Sequence, residues 1–217
     1  FENVSKLYRL KHDSLRGLPN FEQHLDGIER FNFGGTCYAN NYYFNRLLDY
    51  LGYDIKLCGA DMANPDVHLV SVVKLDGREF VVDVGYGAPF YAPMPRDLSA
   101  DYAITFGDDR YILRPQSEDG RSRLDLYRGG QLKHGYTVNP IPREIDHFAD
   151  VITDSYRPQA TFTNALLLVR FFENRSIVIH NYNLIESGPA KSRIVKISDR
   201  EELINSVEKH FGIPREI

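Results

Sequence analysis

The sequence predicts an α+β fold on three observations. Apolar residues recur at helical spacing through residues 1–55, strand-like runs punctuated by turn residues follow to about residue 197, and a capped helix closes the chain. In the helical part, Val4, Leu7, Tyr8 and Leu10 form one broken apolar stripe, which Leu15-Arg16-Gly17-Leu18-Pro19 stops. Asn20-Phe21-Glu22-Gln23-His24-Leu25 begins a second helix that ends near Phe31. After Gly34-Gly35, the residues Cys37, Asn41, Phe44, Leu48 and Leu51 recur at i, i+4, i+7, i+11 and i+14. That is one face of a third helix, with Leu47 beside it and Gly52 just past its end. The spacing puts Cys37 at the top of the buried stripe, pointing inward.

The strand part opens on its clearest signal. Val67 to Leu75 and Arg78 to Val84 are two β-rich runs joined by Asp76-Gly77, a strong two-residue hairpin signal. A two-residue loop pairs Leu75 with Arg78, and carrying that register back sets His68 and Asp83 diagonally on one face. A one-residue bulge would move Asp83 to the other face. Further strands are predicted at Tyr102–Phe106, Tyr111–Leu113, Leu124–Tyr127, Ala165–Phe172, Ile177–His180 and Arg193–Ile197, with turns at Gly129-Gly130 and Glu173-Asn174. Ile145–Asp154 reads as a short helix broken by Arg157-Pro158. Ser198-Asp199-Arg200-Glu201 reads as a capping box opening a last helix, which turns Leu203, Ile204, Val207 and Phe211 inward and stops at Gly212 and Pro214.

Composition narrows the partners. The 217 residues carry a formal charge of −4, with no basic surplus to favour nucleic acid or an anionic membrane. The longest apolar run, Ala165 to Val169, is far too short to span a bilayer. Two cysteines, Cys37 and Cys58, do not make a disulfide framework and read as reduced thiols of a cytoplasmic protein. The chain starts at Phe1 without methionine, which predicts a preceding segment.

Three residues carry the chemistry. A cysteine on the first turn of a helix feels the partial positive charge there, which favours the thiolate. Nucleophilic catalysis by cysteine also needs a base and a group that orients the base, and His68 and Asp83 fill those roles. Amide groups at Gly34 and Gly35 are suited to hold an oxyanion. The reaction class is acyl transfer through a thioester. His12, His24, His134, His147, His180 and His210 show no metal-ligand spacing, so no metal is expected.

The matching residues run along nearly the whole chain. They are Phe1-Glu2-Asn3-Val4-Ser5, Gly34-Gly35-Thr36-Cys37, Leu51-Gly52-Tyr53, His68, Asp76-Gly77-Arg78, Val82-Asp83-Val84-Gly85-Tyr86-Gly87, Thr161-Phe162-Thr163-Asn164 and His210-Phe211-Gly212-Ile213. In these the chain resembles the arylamine N-acetyltransferases, the acetyl-CoA-dependent family. The resemblance implies an N-terminal helical bundle, a central β-barrel and a C-terminal α/β lid around a cysteine-protease-like core. The corresponding parts are 1–60 with the nucleophile, 61–155 with the histidine and aspartate, and 156–217. It implies a Cys37–His68–Asp83 triad acetylated at Cys37 by acetyl-CoA, with an arylamine or arylhydrazine as acceptor in a ping-pong scheme. By family position Phe1, Val67 and Tyr86 line the acceptor pocket. Asp61–Asp66 and Tyr156–Thr161 lie near CoA, which makes Asn64 and Gln159 CoA contacts.

Two positions depart from the family motif. Phe33 and Ala39 stand where the family carries an arginine before the double glycine and a glutamate after the cysteine. Loss of both members of a charged pair reads as a coordinated apolar replacement. Two alternatives keep the same residues: a Cys-His-Asp amide synthase or hydrolase using another acyl donor, and a catalytically weakened relative that binds a ligand.

Overall fold

The structure, a computed structural model, describes residues 1–188 and 192–217. Three helices come first: α1 (Val4–Asp13), α2 (Phe21–Phe31) and α3 (Cys37–Tyr50). Eight strands follow: β1 (Asp54–Asp61), β2 (His68–Leu75), β3 (Arg78–Val82), β4 (Met94–Pro95), β5 (Tyr102–Phe106), β6 (Asp109–Leu113), β7 (Ser122–Arg128) and β8 (Gln131–Pro142). A 3-10 turn (Ile145–Phe148) runs into α4 (Ala149–Asp154), and α5 (Thr161–Asn164) follows. The last stretch holds β9 (Leu167–Phe172), β10 (Arg175–His180), β11 (Asn183–Ser187), β12 (Ser192–Lys196) and α6 (Arg200–Phe211). The α+β class is as the sequence predicts. Two compact units divide the chain, Phe1–Ala39 with Ile152–Ile217, and Asn40–Val151.

The Asn40–Val151 unit is one antiparallel sheet in the order β4-β3-β2-β1-β8-β7-β6-β5. It curls into a nearly closed, barrel-like layer. Met94 from one edge strand and Tyr102 and Ile104 from the other belong to one core with Val70, Val72, Val81, Leu113, Leu124 and Val138, which a flat sheet could not bring about. The β2–β3 hairpin has the predicted register, with Leu75 opposite Arg78 and Ser71 opposite Val82. Asp76 and Gly77 both have positive φ, 50° and 79°, as a type I′ turn requires.

In the other unit, β12-β11-β10-β9 form a four-stranded antiparallel sheet. Its core joins Leu168, Ile177 and Ile179 to Phe33, Ile197 and Phe211, with Val4, Tyr8, Leu203 and Val207 packed against it. Asn20 and Gln23 close a capping box on α2.

The structure corrects two local expectations. The last helix is capped by Asp199, whose side chain accepts from the Glu202 amide, while Glu202 accepts from the Ser198 amide. The reciprocal pair is thus one residue later than read, because an aspartate competes well with serine for the cap. On α3 the inward stripe ends at Leu48. Leu51, one residue past the end of α3 at Tyr50, and Leu47 are 59% and 49% exposed.

Candidate active site

Cys37 belongs to the Phe1–Ala39 and Ile152–Ile217 unit, and His68 and Asp83 belong to the Asn40–Val151 unit. In the Phe1–Ala39 unit, the chain turns through Gly34-Gly35 and enters α3 at Cys37. Gly35 has φ of 131°, a region that side chains disfavour, so glycine is needed there. The Glu2 amide donates to the Gly35 carbonyl at 3.1 Å, which pins the turn. Cys37 is the first residue of α3 and is buried. The first amides of a helix have no intrahelical acceptor, so they face the nucleophile's end of the helix unpaired by the ladder.

The departures from the family motif have a visible setting here. Phe33 is buried in a ring cluster with Tyr8 and Phe31, at centroid distances of 5.5 and 5.2 Å, and Ala39 is buried too. Sequence reasoning missed the third member of this region. Glu2 is 4% exposed, its Oε2 accepts the Ser5 amide at 2.8 Å, and Oε1 has no partner among the described residues. Burial pushes its pKa up, which the Ser5 hydrogen bonds only partly oppose.

In the Asn40–Val151 unit, His68 opens β2 and Asp83 stands one residue beyond β3. Both are buried at 3% exposure. His68 Nε2 lies 2.8 Å from Asp83 Oδ2, so the sequence-predicted diagonal neighbours do meet. Asp83 Oδ1 accepts from Asn41 Nδ2 and the Gly85 amide, each at 2.9 Å. Burial alone would raise the Asp83 pKa. The His68 charge and the hydrogen bonds from His68, Asn41 and Gly85 outweigh it and hold the carboxyl below the ordinary range.

By its sequence spacing Asn41 is only a member of the α3 stripe. Its Nδ2 also donates to the Leu69 carbonyl at 2.6 Å, and its Oδ1 accepts the Val84 amide at 2.9 Å. It therefore ties β2, Asp83 and the loop after β3 together. The signal available in the sequence was its polarity, an asparagine in an apolar stripe.

Tyr86 lies in the same cluster. Its ring is 5.6 Å from His68, 5.0 Å from Tyr136 and 6.0 Å from Phe90, and its hydroxyl meets His134 Nδ1 at 2.5 Å. Tyr136, also unnoticed in the sequence, is fully buried with its ring 5.0 Å from His68. Burial and the Asp83 charge push its hydroxyl pKa well up, so it stays neutral.

Val67 immediately precedes β2 and is half-buried, and Phe1 packs on Phe162 at 5.3 Å between ring centroids. Asn64 is exposed, and its carbonyl accepts the Met62 amide at 3.1 Å. Gln159 is exposed ahead of α5. No cluster of three metal-ligating side chains occurs among the described residues.

A family model described as N-acetyltransferase matches residues 22–216. Among curated proteins, the chain is 28% identical over 180 residues to the proansamycin X synthase of Amycolatopsis mediterranei (strain S699), covering 76% of this chain and 68% of that protein. It is 26% identical over 163 residues to arylamine N-acetyltransferase 1 of Homo sapiens, covering 69% and 51%. The chain thus spans from about half to about two thirds of the length of these relatives. Two solved structures share the fold. The arylamine N-acetyltransferase of Mycobacterium abscessus superposes with a TM-score of 0.81 at 19% identity, over 98% of this chain and 78% of that one. That of Mycobacterium marinum, solved in complex with CoA, gives 0.76 at 21% identity, over 98% and 80%.

Proposed function

The chain belongs to the N-acetyltransferase family, and on that premise we propose that it moves an acetyl group from acetyl-CoA to an arylamine or arylhydrazine through a thioester on Cys37. The observation that carries this reading is the buried His68–Asp83 pair at 2.8 Å, braced by Asn41, which follows Cys37 by one turn of the same helix. With Nε2 committed to Asp83, His68 takes the Cys37 proton at Nδ1. The thiolate attacks the acetyl carbonyl, amides of the Gly34–Cys37 turn hold the oxyanion, and the bond to the CoA sulfur breaks as that sulfur regains a proton from His68. The amine then attacks acetyl-Cys37, gives its proton to His68, and releases the Cys37 thiolate.

In this proposal Phe1, Val67 and Tyr86 line the acceptor site, and Asn64 and Gln159 contact CoA. The solved CoA complex of a fold relative supports CoA as the donor carrier. A cytoplasmic setting agrees with the free thiols of Cys37 and Cys58 and with the lack, among the described residues, of a helix long and apolar enough to cross a membrane.

Incubation with acetyl-CoA and no acceptor tests the scheme. Peptide mass spectrometry is expected to find one acetyl group on Cys37, and an unmodified Cys37 in a folded sample overturns the proposal. Likeness to a proansamycin X synthase favours a second reading, amide formation from an acyl chain other than acetyl. Acylation of Cys37 by longer acyl thioesters but not by acetyl-CoA would establish it.

A further inference from the structure

A small cavity, partly open to solvent, lies behind the Gly34–Gly35 turn, wholly within the Phe1–Ala39 and Ile152–Ile217 unit, and holds about 40 Å³. Leu15, Leu18, Phe33 and Ile152 make its walls apolar, and no aspartate or glutamate lines it. Lys6 does line it, and its side chain is buried, at 7% exposure. Its Nζ donates to the Ser155 carbonyl at 2.5 Å and to Ser155 Oγ at 3.0 Å, and sits 4.2 Å from the Tyr156 ring centroid. Those two acceptors use two of the three ammonium protons. Among the described residues none supplies a third acceptor, and none forms an ion pair with Lys6.

We propose that this cavity binds a small monocarboxylate whose carboxylate pairs with Lys6. Charge, size and polarity each narrow the ligand. A buried cation without a counter-ion is costly, and an anion beside it offsets that cost. The second cation on the cavity, Arg9, is already committed to Asp13 at 2.9 Å and to the Gln23 carbonyl at 2.8 Å, so one negative charge suffices. The volume admits roughly three water-sized groups, which suits formate or acetate. The apolar walls accept a methyl group.

Other titratable groups around Lys6 set the pH response. Burial lowers the Lys6 pKa to about 8, and the charge of Cys37 opposes that shift. Burial also lowers the His24 pKa, so that ring, which lines the cavity from α2, is neutral above pH 7. Tyr156, pushed up to about 12 by burial, stays neutral too. Carboxylate affinity is therefore steady from pH 7 to about 8 and falls about tenfold per pH unit above that, as Lys6 loses its proton.

The test is an NMR titration of the whole chain with labelled acetate, beside its neutral isostere acetamide and beside chloride. Expected are saturable one-to-one acetate binding, acetamide at least tenfold weaker, loss of binding between pH 8 and 10, and no binding by Lys6→Met. Equal binding of acetamide, acetate binding indifferent to pH, or unchanged binding by Lys6→Met overturns the proposal. Competition by chloride at equal concentration would show a general anion hole and would overturn it also. If Lys6→Met does not fold, the isostere and pH arms on the unaltered chain decide. None of these readouts depends on acetyl transfer.

Discussion

Asp83→Asn separates orientation of the base from everything else the carboxylate does. Asp83 Oδ1 accepts from Asn41 and Gly85 at 2.9 Å, and an asparagine oxygen in that place keeps both bonds. The change falls on the other position, 2.8 Å from His68 Nε2, where an acceptor becomes an NH2 donor. His68 Nε2 must then accept, its proton moves to Nδ1, and Nδ1 can no longer take the proton of Cys37. Exchange of a charge-assisted hydrogen bond for a neutral one costs roughly 1 kcal/mol of stability, within what a folded domain tolerates. The rate effect is larger, since the equivalent change in a serine triad lowers turnover about 10⁴-fold, or about 5.5 kcal/mol of barrier. Single-turnover acetylation of Cys37, read by intact mass, is the assay, with thermal melting as the control for folding. A variant that melts like the parent and acetylates within tenfold of its rate would refute the role of Asp83. The substitution also carries a pH signature. Because the folded-state pKa of Asp83 lies below its unfolded value, its ionised form adds stability that is present above about pH 4 and lost as pH falls through the folded value. Asp83→Asn is expected to melt with less acid sensitivity than the parent.

Cys58 is fully buried and its thiol is pushed up to about 11 by burial, so iodoacetamide at neutral pH should leave it unmodified until the chain unfolds. Peptide mapping checks this, and Cys58→Ala should keep acetyl transfer within a few-fold. Tyr86→Phe removes the 2.5 Å contact with His134 but keeps the ring against His68, so acceptor KM should shift several-fold while acetylation of Cys37 stays unchanged. An equal fall in both steps would argue that Tyr86 acts on the base, not on the acceptor. Glu2→Gln replaces a buried carboxyl that is favoured neutral with a neutral isostere. The parent should lose stability as pH rises from the unfolded value of about 4.5 through the raised Glu2 pKa, because the unfolded chain ionises more easily, and the variant should melt with a flatter response over that rise.

What the sequence disclosed and withheld follows from the range of the interactions involved. The His68–Asp83 pair was legible because Asp76-Gly77 fixes a turn type, the turn fixes a register, and the register fixes which side chains share a face. Each link there is local. Strand β8 was not legible, because Gly135, Pro140 and Pro142 break the strand pattern in its sequence. Tertiary packing explains the glycine, since a Cβ at Gly135 would lie 2.2 Å from the Leu124 carbonyl oxygen on the neighbouring strand. With β8 unread, Tyr136 and the partner of Tyr86 were unread as well.

Lys6 and Glu2 make the opposite case. A lysine after Ser5 and a glutamate before Asn3 look like solvent-facing residues, and nothing within a few positions says otherwise. Lys6 is buried because Ser155 and Tyr156, about 150 positions away, supply its acceptors and a ring face. The apolar replacement at Phe33 and Ala39 was legible as a pair, whereas the burial of Glu2, more than 30 positions upstream of Phe33, was not. For that reason the electrostatic setting of Cys37 in this chain must be sought in the residues packed around its turn, and Lys6 and Glu2 are the two on which the substitutions above bear most directly.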